Sequence, residues 1–234
     1  MLISGIHTLT LLDFPGHVAC IVFTPGCNFR CGYCHNAEFV LPAEIKRIEH
    51  DFIPDDNFFN FLETRKGKLE GVVISGGEPT IHPDLPEFIR KIKELGFLVK
   101  LDTNGTNPDM LQKLIGENLL DYIAMDMKAT PAKYAEFTGV KSEIGNLERS
   151  RDLIIASQVD HEFRTTYIKG WHTEEDVAEI AQWCTGARKY TLQNFRPQKT
   201  LDPSWGKYGS FTEKELKGLK KIAEKFVEKV EVLP

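Results

Sequence analysis

The sequence predicts an α/β fold in which a parallel sheet forms a partial (β/α)6 barrel. Short apolar runs of strand length alternate with longer segments whose apolar residues recur every three or four positions. This alternation occurs six times, whereas a closed barrel needs eight units. Strands that alternate with helices pair in parallel through right-handed crossovers. We therefore expect an open barrel built from six units.

The first element is the segment 1–16, which we predict as a short β-ribbon. Its run at 13–16 (Asp-Phe-Pro-Gly) suits a type II turn, because proline favours the second position and glycine the third. Strands are predicted at 18–24, 71–75, 97–102, 122–126, 162–168 and 189–193. Helices are predicted at 57–65, 85–95, 108–116, 132–137, 147–156 and 174–185. A last helix at 212–229 opens with Thr212 and has Glu215 three residues later, the pattern of a capping box.

The chain is predicted to form one domain. No linker, low-complexity segment or internal repeat divides its 234 residues. The ribbon (1–16), the barrel (17–196) and a C-terminal loop and helix (197–234) are its expected parts. Hydrophobic residues make up 41% and charged residues 27%, which is typical of a globular protein. The net charge of −5 argues against nucleic-acid binding through bulk electrostatics.

The sequence also predicts a compartment. No run of about 20 apolar residues is present, so we expect no membrane-spanning helix. The segment 1–24 lacks a basic start followed by a long apolar run, so we expect no secretory signal. Five cysteines, three of them closely spaced, suit a reducing cytosol better than a disulfide framework. The expected location is the cytoplasm.

Cys27, Cys31 and Cys34 form a C-x3-C-x2-C triplet on one short loop. Four-iron clusters are usually held by four cysteines, so three ligands would leave one iron open to a small molecule. This arrangement indicates an enzyme rather than an electron carrier. The alternative is structural zinc with His35 or Cys20 as fourth ligand, although zinc sites more often show two separated ligand pairs.

Polar or glycine-rich segments follow the carboxyl ends of the predicted strands. They are the cysteine loop, 75–79 (Ser-Gly-Gly-Glu-Pro), 102–105 (Asp-Thr-Asn-Gly), Asp126 with Lys128, 164–166 and 193–196. In α/β barrels this edge carries the active site, because the βα loops converge there. The six segments together therefore predict an active site at that edge.

Some of these residues have simpler interpretations. Gly76-Gly77 is compatible with a tight strand-to-helix turn, and Asp102 and Asp126 are compatible with helix N-caps. If both aspartates instead face one ligand, their charges repel each other and any ligand carboxylate. Lys128 or a bound cation would then be needed for compensation. Cys20 and Cys184 lie in apolar patterns and are expected to be buried packing residues.

The cysteine triplet, the run 76–79 and the run 102–105 together resemble the radical S-adenosylmethionine (SAM) superfamily. Within it, the sequence is most similar to activating enzymes of glycyl-radical proteins. That likeness is carried by residues 12–16 (Leu-Asp-Phe-Pro-Gly), 25–31, 33–36, 125–128 and 163–166. It extends to about Arg196 and is weak over the final forty residues.

The resemblance implies a [4Fe–4S] cluster whose open iron is chelated by the amino and carboxylate groups of SAM. One electron from the cluster would cleave the sulfonium bond to the 5′ carbon. The 5′-deoxyadenosyl radical would then remove a hydrogen from the Cα of a glycine in a partner protein. The implied partner is an anaerobic ribonucleotide reductase or, alternatively, pyruvate formate-lyase or another glycyl-radical enzyme. A flavodoxin- or ferredoxin-type protein would donate the electron.

The resemblance also implies roles for individual residues. Cys27, Cys31 and Cys34 would hold the cluster. SAM would be bound by Tyr33, Gly76, Gly77, Glu78, Asp102, Asn104, Asp126, Lys128, Thr166 and Arg196. Of these, Gly76, Gly77 and Glu78 would hold the methionine ammonium group, while Tyr33 and Thr166 would border the adenine. Asp102 and Asp126 would help to bind a monovalent cation. Asp13 and His35 would lie near the peptide substrate.

Two other functions remain open at this stage. The first is a radical SAM enzyme that acts on a small molecule, such as a purine precursor or an amino acid. The second is a metal-binding module without catalytic activity. A metal assay distinguishes the metal-binding module from an enzyme with a cluster, because a cluster contributes about four irons per chain and a zinc module contributes one zinc.

Overall fold

The computed structural model describes residues 1–141, 143–198 and 200–233. These residues form two compact units. Unit 1 comprises Met1–Asn28, Asn36–Thr103 and Asn107–Ile123. Unit 2 comprises Phe29–His35, Asn104–Thr106 and Ala124–Pro234, apart from positions 142, 199 and 234, which the structure does not describe. The single-domain organisation of the whole chain stays a prediction.

Unit 1 contains four complete strands and four α-helices within the described residues. The strands are β1 (Gly5–Thr10), β2 (Ala19–Thr24), β3 (Gly71–Gly76) and β4 (Leu98–Thr103). The helices are α1 (Pro42–Ile48), α2 (Asp55–Arg65), α3 (Leu85–Glu94) and α4 (Pro108–Gly116). β1 pairs antiparallel with β2, while β2 and β4 each pair in parallel with β3. The order of the strands is therefore that of the chain.

The predicted turn at 13–16 is present, and the segment before it contributes strand β1. The His17 N–H donates to the Phe14 carbonyl at 3.1 Å, and Gly16 has φ of +81°. Proline at the second position and a left-handed glycine at the third are the signature of a type II turn. Helix α1 was not predicted from the sequence.

The apolar pattern explains how unit 1 packs. β2 and most of β3 are buried on both faces, which is typical of parallel strands covered by helices. In α3, Leu85, Phe88, Ile89 and Ile92 are buried at spacings of three and four residues. Such a stripe forms one face of a helix, and this face supplies the apolar cover.

Strand β5 (Tyr122–Asp126) crosses the boundary between the two units. In unit 1, the N–H of Asp121 donates to the Val99 carbonyl at 2.9 Å. In unit 2, the N–H of Met127 donates to the Arg164 carbonyl at 2.8 Å.

Unit 2 continues the alternation of helices and strands. Its helices are α5 (Tyr134–Thr138), α6 (Ile144–Ala156), α7 (Glu174–Trp183) and α8 (Glu213–Ala223). Its strands are β6 (Asp160–Tyr167), β7 (Tyr190–Asn194) and β8 (Val230–Leu233). β7 pairs in parallel with both β6 and β8. The parallel pairing in both units agrees with the predicted α/β class.

The end of the chain corrects one prediction. The capping box at Thr212 and Glu215 is present, but α8 ends at Ala223 rather than at 229. Val227 and Val230 are buried, and the backbone from Val230 pairs with β7. Pairing and burial of these valines outweigh the charged helical pattern of the preceding residues.

No helix among the described residues has the length and apolar character needed to cross a membrane.

Gly71→Ala is expected to destabilise unit 1. A methyl carbon there would lie 2.7 Å from the buried ring of Phe14 and 3.2 Å from the Leu98 carbonyl oxygen. Overpacking of this kind lowers the free energy of unfolding by about 1–3 kcal/mol. Gly218→Ala in α8 is the control, since its methyl group would meet nothing within 4 Å and should stabilise by up to about 1 kcal/mol. Chemical denaturation measures both values, and equal effects at the two positions would contradict the packing argument.

Candidate active site

The cysteine loop begins in unit 1 and continues in unit 2. Cys27 follows β2, whereas Cys31 and Cys34 belong to unit 2. The Cys34 N–H donates to the Cys31 carbonyl at 3.0 Å, so these two residues share one tight turn. Cys31 is buried and Cys34 is half-buried. None of the five cysteines forms a disulfide, as a metal-binding role for this loop requires.

Helix α5 anchors the start of this turn in unit 2. The Arg30 N–H donates to the Thr138 carbonyl at 2.8 Å. Gly139, which follows α5, has φ of +70° and lies so close to Arg30 that an added methyl carbon would come within 2.6 Å of its carbonyl oxygen. Only glycine combines this backbone conformation with this close approach.

A late turn, Pro203–Lys207, holds the middle of the cysteine loop. The N–H of Asp202 donates to the Gly32 carbonyl at 2.9 Å. The indole of Trp205 lies directly against Gly32, where a methyl carbon would stand 2.0 Å from its Nε1 atom. The residue between Cys31 and Tyr33 is therefore glycine because the tryptophan occupies the side-chain space.

Aromatic rings of unit 2 pack around Phe137, which is fully buried. Its ring centroid lies 4.5 Å from that of Tyr33, 4.3 Å from Trp171, 5.0 Å from His172 and 5.6 Å from Trp205. These contacts fix the ring of Tyr33 between the second and third cysteines. Burial raises the pKa of Tyr33 well above its ordinary value, so the phenol stays protonated.

Asp126, at the end of β5, accepts from two cationic side chains of unit 2. Arg164 Nε donates at 3.0 Å and Lys128 Nζ at 3.1 Å. Burial alone would raise the pKa of Asp126, but the charges of Arg164 and Lys128 outweigh it and hold the pKa at about 2. Lys128 Nζ also lies 3.5 Å from the Tyr33 hydroxyl. Burial would lower the pKa of Lys128, but the charges around it, with Asp126 foremost, together outweigh burial. They raise the pKa well above its ordinary value, so the ammonium stays charged.

The Gly-Gly-Glu run after β3 lies against the backbone of unit 1. The N–H groups of Gly77 and Glu78 donate to the carbonyls of Thr24 and Gly26, both at 2.8 Å. A methyl carbon on Gly77 would stand 1.9 Å from the Gly26 oxygen, and Gly76 has φ of +115°. Both glycines are therefore required by the backbone itself.

The Glu78 carboxylate is buried and held by hydroxyl groups. Its Oε1 accepts from the Thr80 N–H at 3.1 Å, the Thr80 hydroxyl at 2.5 Å and the Thr103 hydroxyl at 2.8 Å. The bond from Thr103 ties the end of β4 to the turn after β3. The Glu78 side chain therefore links the end of β4 to the turn after β3. The three donors stabilise its buried carboxylate.

Asp102 is paired with a lysine of its own strand. Lys100, two residues earlier in β4, forms an ion pair with Asp102 and is only 1% exposed. Its Nζ also lies 5.9 Å from the centroid of the Tyr122 ring. Lys100 is not among the residues predicted for the site, and Arg164 was predicted only as part of the segment 164–166, without a role of its own. A lysine inside the apolar run 97–101 is the signal that could have identified Lys100, because a buried ammonium needs a partner.

The remaining predicted residues have local contacts. Asn104 Oδ1 accepts from the N–H and hydroxyl of Thr106 at 3.0 and 2.7 Å, and the Thr166 hydroxyl donates to Gln193 Oε1 at 3.3 Å. The His35 ring lies 6.0 Å from that of Phe195. Asp13 is exposed and pairs with the Thr10 hydroxyl, and Arg196 is exposed after β7.

The structure thus brings the predicted residues together in two groups, each within one unit. Glu78 and Asp102 lie at neighbouring strand ends in unit 1, while Tyr33 and Asp126 both contact Lys128 in unit 2. No three His, Cys, Asp or Glu side chains in the described part of the chain stand together as a metal site. The ligand role of the three cysteines consequently rests on their spacing and on family likeness.

Residues 21–184 match the sequence pattern described as the Radical SAM superfamily, which is more than half of the chain. The chain belongs to the radical SAM superfamily. It is therefore an enzyme, as predicted, and its family implies a [4Fe–4S] cluster and SAM. The donor set suits the cluster, because three closely spaced thiols outside any disulfide are the ligands that iron–sulfur clusters take. This membership removes the non-catalytic binding module as an interpretation.

Two relatives are similar in sequence. A protein of Methanocaldococcus jannaschii named "Putative glycyl-radical enzyme activating enzyme" is 38% identical over 98% of this chain and 94% of its own length. A pyruvate formate-lyase-activating enzyme of Listeria monocytogenes is 30% identical over 58% of this chain and 57% of its own length. The predicted resemblance to glycyl-radical activating enzymes is confirmed.

A solved structure shows the same fold. SuiB of Streptococcus suis, bound to the precursor peptide SuiA, aligns with a TM-score of 0.66 and 16% identity. The alignment covers 92% of this chain and 48% of SuiB, so this chain spans about half of that protein's length. The likeness confirms the predicted partial barrel of the radical SAM type.

Gly32→Ala is expected to push Trp205 away from the cysteine loop. Because the added methyl carbon would overlap the indole, the free energy of unfolding should fall by about 1–3 kcal/mol. The double variant Gly32→Ala/Trp205→Ala removes the overlap, so its loss should be smaller than the sum of the two single losses. Denaturation of the four proteins tests this coupling, and strictly additive losses would contradict the contact.

His172 predicts a specific acid sensitivity. Its Nδ1 accepts from the Ile168 N–H at 3.0 Å, and burial lowers the pKa of His172 to about 4 despite the opposing effect of Asp176. As pH falls from 6.5 towards 4, the unfolded chain binds a proton here and the folded chain does not. The free energy of unfolding should therefore decrease by about 3 kcal/mol over this window.

The variant His172→Gln should lose this contribution, so its stability should fall less between pH 6.5 and 4 than that of the wild type. The exposed His50→Gln is the control and should keep the wild-type slope. Denaturation at several pH values provides the comparison. Parallel pH profiles for wild type and His172→Gln would show that the imidazole is not held neutral.

Proposed function

We propose that this protein is a glycyl-radical activating enzyme, which uses SAM to form a radical on a glycine of a partner enzyme. The observation that carries the proposal is the 38% identity with the Methanocaldococcus jannaschii relative over nearly the full length of both chains. A likeness of that extent includes the ribbon, the cysteine loop and the C-terminal segment. The match to a pyruvate formate-lyase-activating enzyme over more than half of the chain supports the same activity.

In this proposal Cys27, Cys31 and Cys34 hold the [4Fe–4S] cluster through three of its irons. When bound, the cluster and SAM supply one electron and the adenosyl radical. The anchored turn in unit 2 supports this role, since α5 and the Trp205 turn hold the backbone around Cys31 and Cys34 through backbone hydrogen bonds and packing. A loop held in this way keeps its ligands in place when the metal is loaded.

SAM is proposed to contact the residues that the family likeness assigns to it. The backbone carbonyls of Gly76 and Gly77, with Glu78, would accept from the ammonium group of methionine. Tyr33, Lys128 and Asp126 would face the methionine or adenosine, with Asp102, Asn104, Thr166 and Arg196 as further contacts. The charged state of Lys128 supports a role towards a carboxylate or a ribose, because its ammonium remains a donor at neutral pH.

Asp13 and His35 are proposed to lie near the partner's glycine loop. The exposure of Asp13 on the turn after β1 leaves it accessible to a protein substrate. An anaerobic ribonucleotide reductase is the first partner to test, and pyruvate formate-lyase is the second. The proposal places the enzyme in the cytoplasm, where a flavodoxin or ferredoxin would supply the electron.

The cluster assignment is tested by comparing Cys31→Ala with Cys184→Ala. Cys184 is buried in unit 2, and burial raises the pKa of its thiol well above the ordinary value, so it serves as a packing control. After anaerobic reconstitution, wild type and Cys184→Ala should bind about four irons per chain and cleave SAM when reduced. Cys31→Ala should give cleavage at the background level. Wild-type cleavage by Cys31→Ala would rule out the proposed ligand set.

The partner is tested by incubating the reduced enzyme with SAM and each candidate glycyl-radical protein. Electron paramagnetic resonance should reveal a protein-centred glycyl radical, and deuterium at the partner's glycine Cα should appear in 5′-deoxyadenosine. Transfer of deuterium from a small metabolite, with none from any protein, would instead establish the small-molecule reaction.

A further inference from the structure

The family resemblance implies a monovalent cation at Asp102 and Asp126, but both aspartates already have cationic side chains beside them. Such a cation is useful where two carboxylates face a third from the substrate, because uncompensated like charges repel. The question is therefore whether this chain leaves room, in charge and in geometry, for an added ion.

The charge of Asp102 is compensated by a lysine of its own strand. Residues two apart in a strand project from the same face, so Lys100 and Asp102 lie side by side on β4. Leu101 between them and Val99 before them are fully buried, and Lys100 is 1% exposed. A lysine at such a depth is stable only when its ammonium is paired and hydrogen-bonded, and Asp102 provides that pair.

Lys100 cannot easily move away from this position. Its stem lies inside unit 1, and its Nζ is also close to the face of the Tyr122 ring, an arrangement that attracts cations. A metal ion at Asp102 would have to share the carboxylate with the ammonium at close range. The like charges would repel within a buried environment, where repulsion is stronger than in water.

The second aspartate, in unit 2, also has cationic partners. Asp126 carries one negative charge, while Arg164 and Lys128 carry one positive charge each, and both donate to its oxygens. An additional cation there would lie beside two positive charges that already compensate the carboxylate.

We propose that Lys100 takes the place of the monovalent cation, so that this enzyme binds SAM without requiring K⁺ or Na⁺. Lys100 is a positioning residue in this scheme: its ammonium compensates Asp102, and Asp102 then faces the ligand. The inference rests on SAM as the family's cofactor. It does not depend on which protein or small molecule receives the radical.

The test measures SAM binding to the anaerobically reconstituted wild-type enzyme by calorimetry. The buffers contain potassium, sodium or tetramethylammonium chloride at equal ionic strength, since tetramethylammonium is too large for a carboxylate cation site. The dissociation constant should vary by less than about threefold among the salts, a small free-energy difference. A larger weakening in tetramethylammonium that K⁺ or Na⁺ reverses would overturn the proposal. Radical transfer plays no part in this measurement, so a failure of the activating function would be distinguished from a failure here.

The variant Lys100→Met provides the complementary result. Removing the ammonium takes this positive charge away from Asp102, so SAM should bind about tenfold more weakly in tetramethylammonium and recover when K⁺ is added. Lys93→Met is the matched control, because Lys93 pairs with Asp121 in the same unit but outside the predicted site. It should bind SAM equally in all three salts. If Lys100→Met does not fold, the wild-type measurement still decides the proposal. A folded Lys100→Met whose SAM binding is insensitive to K⁺ would count against it.

Discussion

Charge compensation at the ends of parallel strands is the constraint on which this site depends. Glu78, Asp102 and Asp126 are carboxylates in largely buried surroundings, and each is stabilised in a different way. Threonine hydroxyls and a backbone N–H hold Glu78, a lysine from the same strand holds Asp102, and an arginine with a lysine holds Asp126. Without these partners a buried carboxylate would gain a proton, and it would then no longer attract a cationic ligand by its charge.

The backbone contacts supply the second requirement, which is precision. The run after β3 lies against the segment before Cys27 through hydrogen bonds that no side chain could replace. The glycines at these positions are required because another chain segment occupies the space of a side chain. Loops that are held by backbone hydrogen bonds keep their shape whatever the side chains bind. Ligands and metal donors can therefore be presented by loops with little conformational freedom.

Much of this architecture could be predicted from the sequence, for identifiable reasons. Strands β2, β3 and β5 are mostly apolar runs, and these identify buried parallel strands with small errors at the ends. The site segments could be placed because they follow those strands directly. Helix α5 was predicted two residues early and one residue short, and α1 and β8 were missed. Their formation depends on tertiary packing and strand pairing, which local patterns do not contain.

The ion pairs were harder to predict from the sequence than the strands. Asp126 could be recognised as needing a cation, but the part played by Arg164 depends on how β6 lies beside the end of β5. Lys100 was overlooked because a single lysine in an apolar run resembles an irregularity rather than a partner. The pairing of residues two apart within one strand is nevertheless visible in the sequence once the buried strand is known.

The turn that contains Trp205 has a wider consequence, since it lies beyond the region that matches the family pattern. Gly32, within that region, is small because of a residue outside it. The two positions therefore constrain each other, because a larger side chain at position 32 needs a smaller one at position 205. Chimeras that join this barrel to the tail of a distant relative should inherit a hole beside the cysteine loop, unless the donor tail brings a comparably large ring.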